Sequence, residues 1–189
     1  MTTLTTPRLL LRPWCIFDTP DLFDYASDPA VADMAGWPVY TSVDQAREFI
    51  EGTLIPKQSF AIELCETGKV IGNIALLNTV FSRAFTSLEA REVAFSLSHK
   101  YWGNRLMSEA LEAVLRHAFC DLSLDFVCCG RFEDNERCES LMRKYMFIRC
   151  ISRQSDFVRT SGNSPRELIS LLTYGRFLRA VNDIANCYF

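Results

Sequence analysis

The sequence predicts an α/β (α+β) fold: a mixed, mostly antiparallel twisted sheet with a central parallel strand-helix-strand unit and helices on both faces. Three observations carry this. Residues 60–64 and 70–77 flank Glu66-Thr67-Gly68-Lys69, a turn whose Gly68 supplies a left-handed position, so the two segments form a hairpin. From Leu106 to Phe119, apolar residues fall in two adjacent rows, an arc wide enough for a helix packed on a sheet. Asp125 to Cys129 follows as a short, nearly all-apolar run, the pattern of a buried parallel strand. The 189 residues suit one domain spanning 1–189, with 175–189 as a C-terminal helical extension.

The remaining elements follow in order. Leu9 to Leu11, between Pro7 and Pro13, reads as the first strand. Asp18 offers an N-cap to a helix through Leu22, Phe23 and Ala26, which Asp28-Pro29 breaks. Gly36, Trp37 and Pro38 form a loop. Ser42 and Gln45 have capping-box spacing, and the next helix turns Ala46, Phe49 and Ile50 inward. Strands two and three are the hairpin, and Asn78 to Ser87 is a long loop. Glu92 to Leu97 alternates as strand four, with Glu92, Ala94 and Ser96 on one face. The long helix and strand five complete a β4-α-β5 unit. Gly130 to Asp134 is a turn, Glu136 to Tyr145 a helix, and Phe147 to Phe157 pairs with Glu167 to Tyr174 around Ser161-Gly162-Asn163-Ser164-Pro165. Gly175 to Asn186 forms a terminal helix.

The net charge of −3 argues against a non-specific nucleic-acid binder. No apolar run is long enough to span a bilayer, and Met1 to Thr6 is polar, so a cytoplasmic protein is expected. The 8 cysteines lack C-x-x-C spacing, and Cys128 and Cys129 are adjacent in an apolar run. They read as reduced thiols acting as small core residues, with no metal site.

The chemistry concentrates in Lys100-Tyr101-Trp102-Gly103-Asn104-Arg105-Leu106-Met107-Ser108-Glu109-Ala110, where a strand ends, a Gly-containing loop follows and a helix begins. The first turn of a helix presents free N–H groups and partial positive charge, a ready anion site. This segment resembles the acyl-CoA pyrophosphate loop of the GNAT superfamily of N-acetyltransferases: Arg or Gln, two residues, Gly, one residue, then Gly or Ala. Trp102, Gly103, Ser108, Glu109 and Ala110 match the RimJ/RimL-like branch in particular. Thr6-Pro7-Arg8-Leu9-Leu10-Leu11-Arg12, Val70-Ile71-Gly72-Asn73-Ile74, Glu92-Val93-Ala94-Phe95 and the segment from Asn135 to Phe147 resemble that branch in serial order.

The resemblance implies an acyl-CoA-dependent N-acyltransferase that moves acetyl from acetyl-CoA to a primary amine in a ternary complex. The amine belongs to a protein N-terminus or a small molecule, the protein is a monomer or homodimer, and no metal, nucleic acid or membrane takes part. It assigns the cofactor to Leu97, Lys100, Gly103, Asn104, Arg105, Leu106, Met107, Ser108 and Asn135. The Leu97 amide donates to the thioester oxygen and Asn135 reaches the pantetheine arm. Asn135 equally suits the N-cap of the late helix. Glu92 resembles the family's general base, against the alternative of a solvated strand charge. Cys138 stands where a Ser or Tyr protonates the leaving thiolate, against the alternative of a buried small residue. Trp37 and Tyr40 fall where the family lines its acceptor site.

Some positions depart from the family. Lys100 replaces Arg or Gln and keeps a donor. Arg105 replaces Gly or Ala, and its side chain either turns aside from the phosphates or fills their place. Ser140 stands where Arg is common. Met146 replaces the Gly that ends the late helix in the left-handed conformation, so Met either adopts that conformation or the helix ends differently. A fold relative that binds acyl-CoA or a protein partner without turnover is the second expectation.

Overall fold

The computed structural model describes residues 2–79, 88–159 and 161–186, and among these the chain forms eight strands and six α-helices. Hydrogen bonding orders the strands β1-β2-β3-β4-β5-β6-β8-β7. The chain divides into two compact units. The first comprises Met1–Ala75, Ala94–Val114 and Arg159–Gly162, the second Leu76–Val93, Leu115–Val158 and Asn163–Phe189.

In the first unit, β1 (Leu4–Thr5), β2 (Leu9–Pro13), β3 (Phe60–Leu64) and β4 (Lys69–Asn78) pair antiparallel in sequence order. Gly68 takes φ +68°, as the hairpin turn requires. Between β2 and β3 lie three helices, α1 (Thr19–Ala26), α2 (Pro29–Ala35) and α3 (Val43–Phe49). The sequence led us to expect two. Asp28-Pro29 ends α1, as expected, but also starts α2: the Asp28 carboxylate accepts from the Ala30 amide at 2.9 Å and Pro29 takes the first helical position. The capping box of α3 forms as expected, Ser42 Oγ accepting from the Gln45 amide at 3.3 Å. Leu22, Tyr25, Ala26, Val31, Ala46 and Ile50 bury against Trp14, Ala61 and Val70 as one apolar core.

Asp18 stands at the N-cap position of α1 without capping it through its side chain. Its carboxylate instead accepts from Arg12 Nη2 at 2.7 Å and Nη1 at 2.8 Å, and from the Cys15 amide at 2.9 Å. Burial pushes this carboxyl up, but the guanidinium and the amide more than offset that and hold it below the usual range. A charged fork outcompetes a helix amide. Gly72 in β4 marks a close approach: a Cβ there would lie 2.4 Å from the Ser96 carbonyl oxygen, so only glycine fits beside the end of β5.

β5 (Ala90–Leu97) pairs parallel with β6 (Phe126–Phe132), Ala90 opposite Phe126, and α4 (Leu106–Arg116) is the crossover between them. This is the expected parallel unit, shifted by one strand number because the two-residue β1 precedes it. In the second unit, β8 (Arg166–Thr173) pairs antiparallel with both β6 and β7 (Ile148–Gln154). Ala90, Phe126, Cys128 and Ile169 form a buried cluster. The unit also contains α5 (Glu136–Lys144) and α6 (Tyr174–Asn186), whose Phe177 stacks on Phe119 with ring centroids 5.4 Å apart.

Two expected loops are corrected. Gly130 to Phe132 continue β6 rather than turning, because Gly130 leaves room for the Glu167 side chain, whose Oε1 lies 2.5 Å from where a Cβ would stand. The loop expected over Asn78 to Ser87 begins later, since Asn78 still belongs to β4. Residues 80–87, like 187–189 of the expected C-terminal extension, lie outside the described residues. The cysteines among the described residues are free. Cys128, Cys129 and Cys138 are the small buried residues expected, whereas Cys65, Cys120 and Cys150 are exposed.

Helix α5 ends in a Schellman motif. The Met146 amide donates to the Arg143 carbonyl and the Phe147 amide to the Met142 carbonyl, each at 3.0 Å, with Met146 at φ +61°. Of the two endings open to this helix, the structure takes the left-handed one.

Candidate functional site

The loop after β5 belongs to the first unit. A 3₁₀ turn at His99–Tyr101 follows the strand, then Gly103 at φ +80° and Arg105 at φ +60°, and α4 begins at Leu106. The loop is pinned from within. Trp102 Nε1 donates to the Leu97 carbonyl at 2.8 Å, and its ring faces His99 with centroids 4.3 Å apart. Asn104 Nδ2 donates to the Tyr101 and Trp102 carbonyls at 3.3 Å. Leu106 is buried and anchors the start of α4, while Met107 and Ser108 are half-buried beside it. Gly103, Asn104 and Arg105 are exposed.

Arg105 is exposed, and its backbone follows the path glycine would take. Its carbonyl accepts from the Glu109 amide at 3.1 Å, joining loop to helix. Side chains of L-residues strain the left-handed conformation by about 1 kcal/mol. Arg105→Gly and Met146→Gly are therefore each expected to stabilise the protein by about 1 kcal/mol, read as a higher Tm in thermal unfolding. Acetyl-CoA affinity of Arg105→Gly should change only modestly. A large gain would show instead that the guanidinium obstructs the cofactor.

Lys100 Nζ lies 3.1 Å from both carboxylate oxygens of Asp24, which also accepts from Lys69 Nζ at 2.9 Å. These two ammonium groups hold the Asp24 carboxyl below the usual range. Nothing local in the sequence signals this ion pair. Nor does anything local signal that Glu109, in the first turn of α4, accepts from the Thr6 hydroxyl at 2.6 Å and from Arg8 Nε at 2.7 Å, partners about a hundred positions distant. Trp37 and Tyr40 pack with Phe49 in an aromatic cluster, ring centroids 6.0 to 6.4 Å apart. Burial pushes the Tyr40 hydroxyl up to about 12.

Glu92, Asn135 and Cys138 lie in the second unit. Glu92 stands opposite Cys128 in the parallel register. It is half-buried rather than a solvated strand charge. Burial pushes its carboxyl above the ordinary glutamate range, the nearby charge of Glu167 adds to this, and Arg153 opposes it. Arg153 is itself bound to Glu167 at 2.6 Å. Burial, with the charge of Glu92 next, raises the Cys128 thiol to about 12, so it stays protonated. A carboxylate with a raised affinity for protons, still partly open to solvent, is suited to accept one at neutral pH.

Asn135 Oδ1 accepts from the Cys138 amide at 3.0 Å and so caps α5. Cys138 is buried, and its thiol donates to Met142 Sδ at 3.6 Å. The described residues contain no group of three or more His, Cys, Asp and Glu that would hold a metal ion, and no helix long and apolar enough to cross a membrane.

Comparison with known proteins adds an independent line. The family profile described as an acetyltransferase (GNAT) domain matches residues 8–148. The chain is 31% identical over 130 residues to the uncharacterized N-acetyltransferase p20 of Bacillus licheniformis, covering 66% of this chain and 70% of that protein. The solved acetyltransferase (GNAT family) of Bacillus anthracis superposes with a TM-score of 0.77 at 19% identity, covering 91% of this chain and 98% of the other. RimL, a ribosomal L7/L12 alpha-N-protein acetyltransferase solved in complex with coenzyme A, superposes with a TM-score of 0.76 at 16% identity, again covering 91% and 98%. At such identities the structural likeness speaks for the fold.

Proposed function

Because the chain belongs to the GNAT acetyltransferase family, we propose that it transfers the acetyl group of acetyl-CoA to a primary amine, of a protein N-terminus or a small molecule, by direct attack in a ternary complex. The observation that carries this reading is the loop after β5. Gly103 and Arg105 both take left-handed backbone conformations there, so Arg105 follows a glycine's path at the position where the family has Gly or Ala. On this reading the amides from Gly103 to Ser108 hold the pyrophosphate at the start of α4, where helix amides and dipole favour an anion. Lys100 exchanges its partner Asp24 for phosphate, and Asn135 meets the pantetheine arm.

The amine arrives as ammonium. Glu92 takes its proton, directly or through water, and the freed nitrogen attacks the thioester carbonyl. The Leu97 amide stabilises the resulting oxyanion. Collapse expels the CoA thiolate, to which Cys138 gives its own proton; the second proton of the attacking nitrogen, lost as the amide forms, restores the Cys138 thiol through water, while Trp37 and Tyr40 line the acceptor side. The serial order of motifs favours the RimJ/RimL-like branch, and the reading of the cysteines as reduced thiols favours a cytoplasmic setting.

Calorimetric titration with acetyl-CoA, followed by a screen of amines and N-terminal peptides for release of free thiol, tests this. Saturable binding with thiol release is expected. Absence of binding at millimolar acetyl-CoA would sink the proposal, and tight binding without turnover of any acceptor would favour a non-catalytic acyl-CoA binder.

A further inference from the structure

Glu109 poses an electrostatic problem. It sits in the first turn of α4, where backbone amides and the helix dipole are the loop's means of attracting an anion. A carboxylate in that turn suits the helix itself but repels an incoming diphosphate. Three donors and one continuing contact meet this charge. Glu109 Oε1 accepts from the Thr6 hydroxyl at 2.6 Å and from the Arg8 amide at 2.9 Å, and its Oε2 accepts from Arg8 Nε at 2.7 Å. Arg8 Nη1 then donates to the carbonyl of Asn104, within the loop, at 3.1 Å. Burial pushes the Glu109 carboxyl up, but the Thr6 hydroxyl and the two Arg8 donors more than offset this and hold it below the usual range, so it is ionised near neutrality. All four residues belong to the first unit.

We infer that Arg8 is a positioning residue that acts on the phosphate loop through Glu109, cancelling that carboxylate's charge at the start of α4 so that an anionic cofactor meets no opposing charge there. This rests on the acetyl-CoA reading above. The Arg8 side chain is 47% exposed and that of Glu109 17%. An ion pair so open to solvent adds little to folding. Its loss should appear in cofactor affinity rather than in the unfolding temperature.

The test is a double-mutant cycle read by titration with CoA. Arg8→Gln leaves the carboxylate uncompensated and is expected to raise the CoA Kd about tenfold at low salt, a deficit that narrows as salt screens the charge. Removing the charge as well, in the Arg8→Gln/Glu109→Gln protein, is expected to restore affinity to within about threefold of wild type. A tie that served the structure alone gives the opposite order, with the double variant as weak as the single or weaker. That order, or a wild-type Kd in Arg8→Gln, overturns the inference. Should Arg8→Gln fail to fold, Arg8→Lys carries the same comparison: near wild-type affinity supports the charge role, and a tenfold loss overturns it. Wild-type protein that takes up no CoA overturns both readings, whereas wild-type binding with an unaffected Arg8→Gln overturns this one alone.

Discussion

Glu92→Gln is expected to lower turnover by roughly 10²–10⁴-fold, the usual worth of a positioned general base, while acetyl-CoA affinity persists. Gln keeps the shape of the side chain and loses only its capacity to accept a proton. Raising the pH should partly rescue the variant, because free amine then arrives without needing deprotonation. In the wild type, turnover should rise with pH through a limb placed above the ordinary glutamate range, since burial and Glu167 raise the Glu92 carboxyl. The same shift has a stability signature. A group whose folded pKa is raised stabilises the fold below its unfolded value, and that contribution is lost as pH rises through the folded value. At neutral pH the charge is therefore a burden on folding, and Glu92→Gln should melt at a higher temperature than wild type. Steady-state kinetics on a working acceptor, with thermal unfolding alongside, checks both. Wild-type turnover in the variant at neutral pH would remove Glu92 from the mechanism.

The second large effect is expected at Gly103. A Cβ at this position meets nothing within 4 Å, so space does not demand glycine; the φ of +80° does. Valine, branched at Cβ, is a poor occupant of that region and strains it by at least about 1–2 kcal/mol. The loop then relaxes to another path and its amides lose their aim. Amide bonds to a charged group contribute about 1.5–3 kcal/mol each. Misdirecting one or two of them should raise the acetyl-CoA Kd about a hundredfold in Gly103→Val. The protein should remain folded, since the strain is small beside a typical stability of about 5–15 kcal/mol. Gly103→Asn is the control: Asn tolerates the left-handed region and should keep most of the affinity. Equal loss in both variants would point to side-chain bulk instead of backbone conformation, and unchanged affinity in Gly103→Val would refute the loop as the phosphate site.

What could be read in advance depended on how local the cause was. The β3–β4 hairpin was legible because Gly68 and two apolar segments lie within one short stretch. Helix α3 was legible for the same reason, its cap and box partner being three residues apart. Helix α2 was missed because Asp28-Pro29 is at once an end and a beginning, and only the ending was credited. At Gly130 a turn was expected, yet the residue stays extended because of a neighbour on β8, far along the chain. The Arg8–Glu109 pair lay hidden in the same way: each residue sits in a recognisable motif, but nothing local joins the motifs. The burial of Glu92 likewise depends on strands distant in sequence, so its raised carboxyl was not to be had from the alternation of β5 alone.

The hydrogen bond that ties the Trp102 indole to the end of β5 also has a spectroscopic consequence. The chain contains 3 tryptophans, Trp14, Trp37 and Trp102, and all of them lie in the first unit. Intrinsic indole fluorescence therefore follows the unfolding of that unit alone, while far-ultraviolet circular dichroism follows helices and strands in both. Denaturant curves recorded by the two probes test whether the units melt as one: superimposable transitions mark a single cooperative step, and separated midpoints mark two. The His99 ring, tilted against Trp102 with centroids 4.3 Å apart, makes the emission of this indole sensitive to the opening of the loop as well.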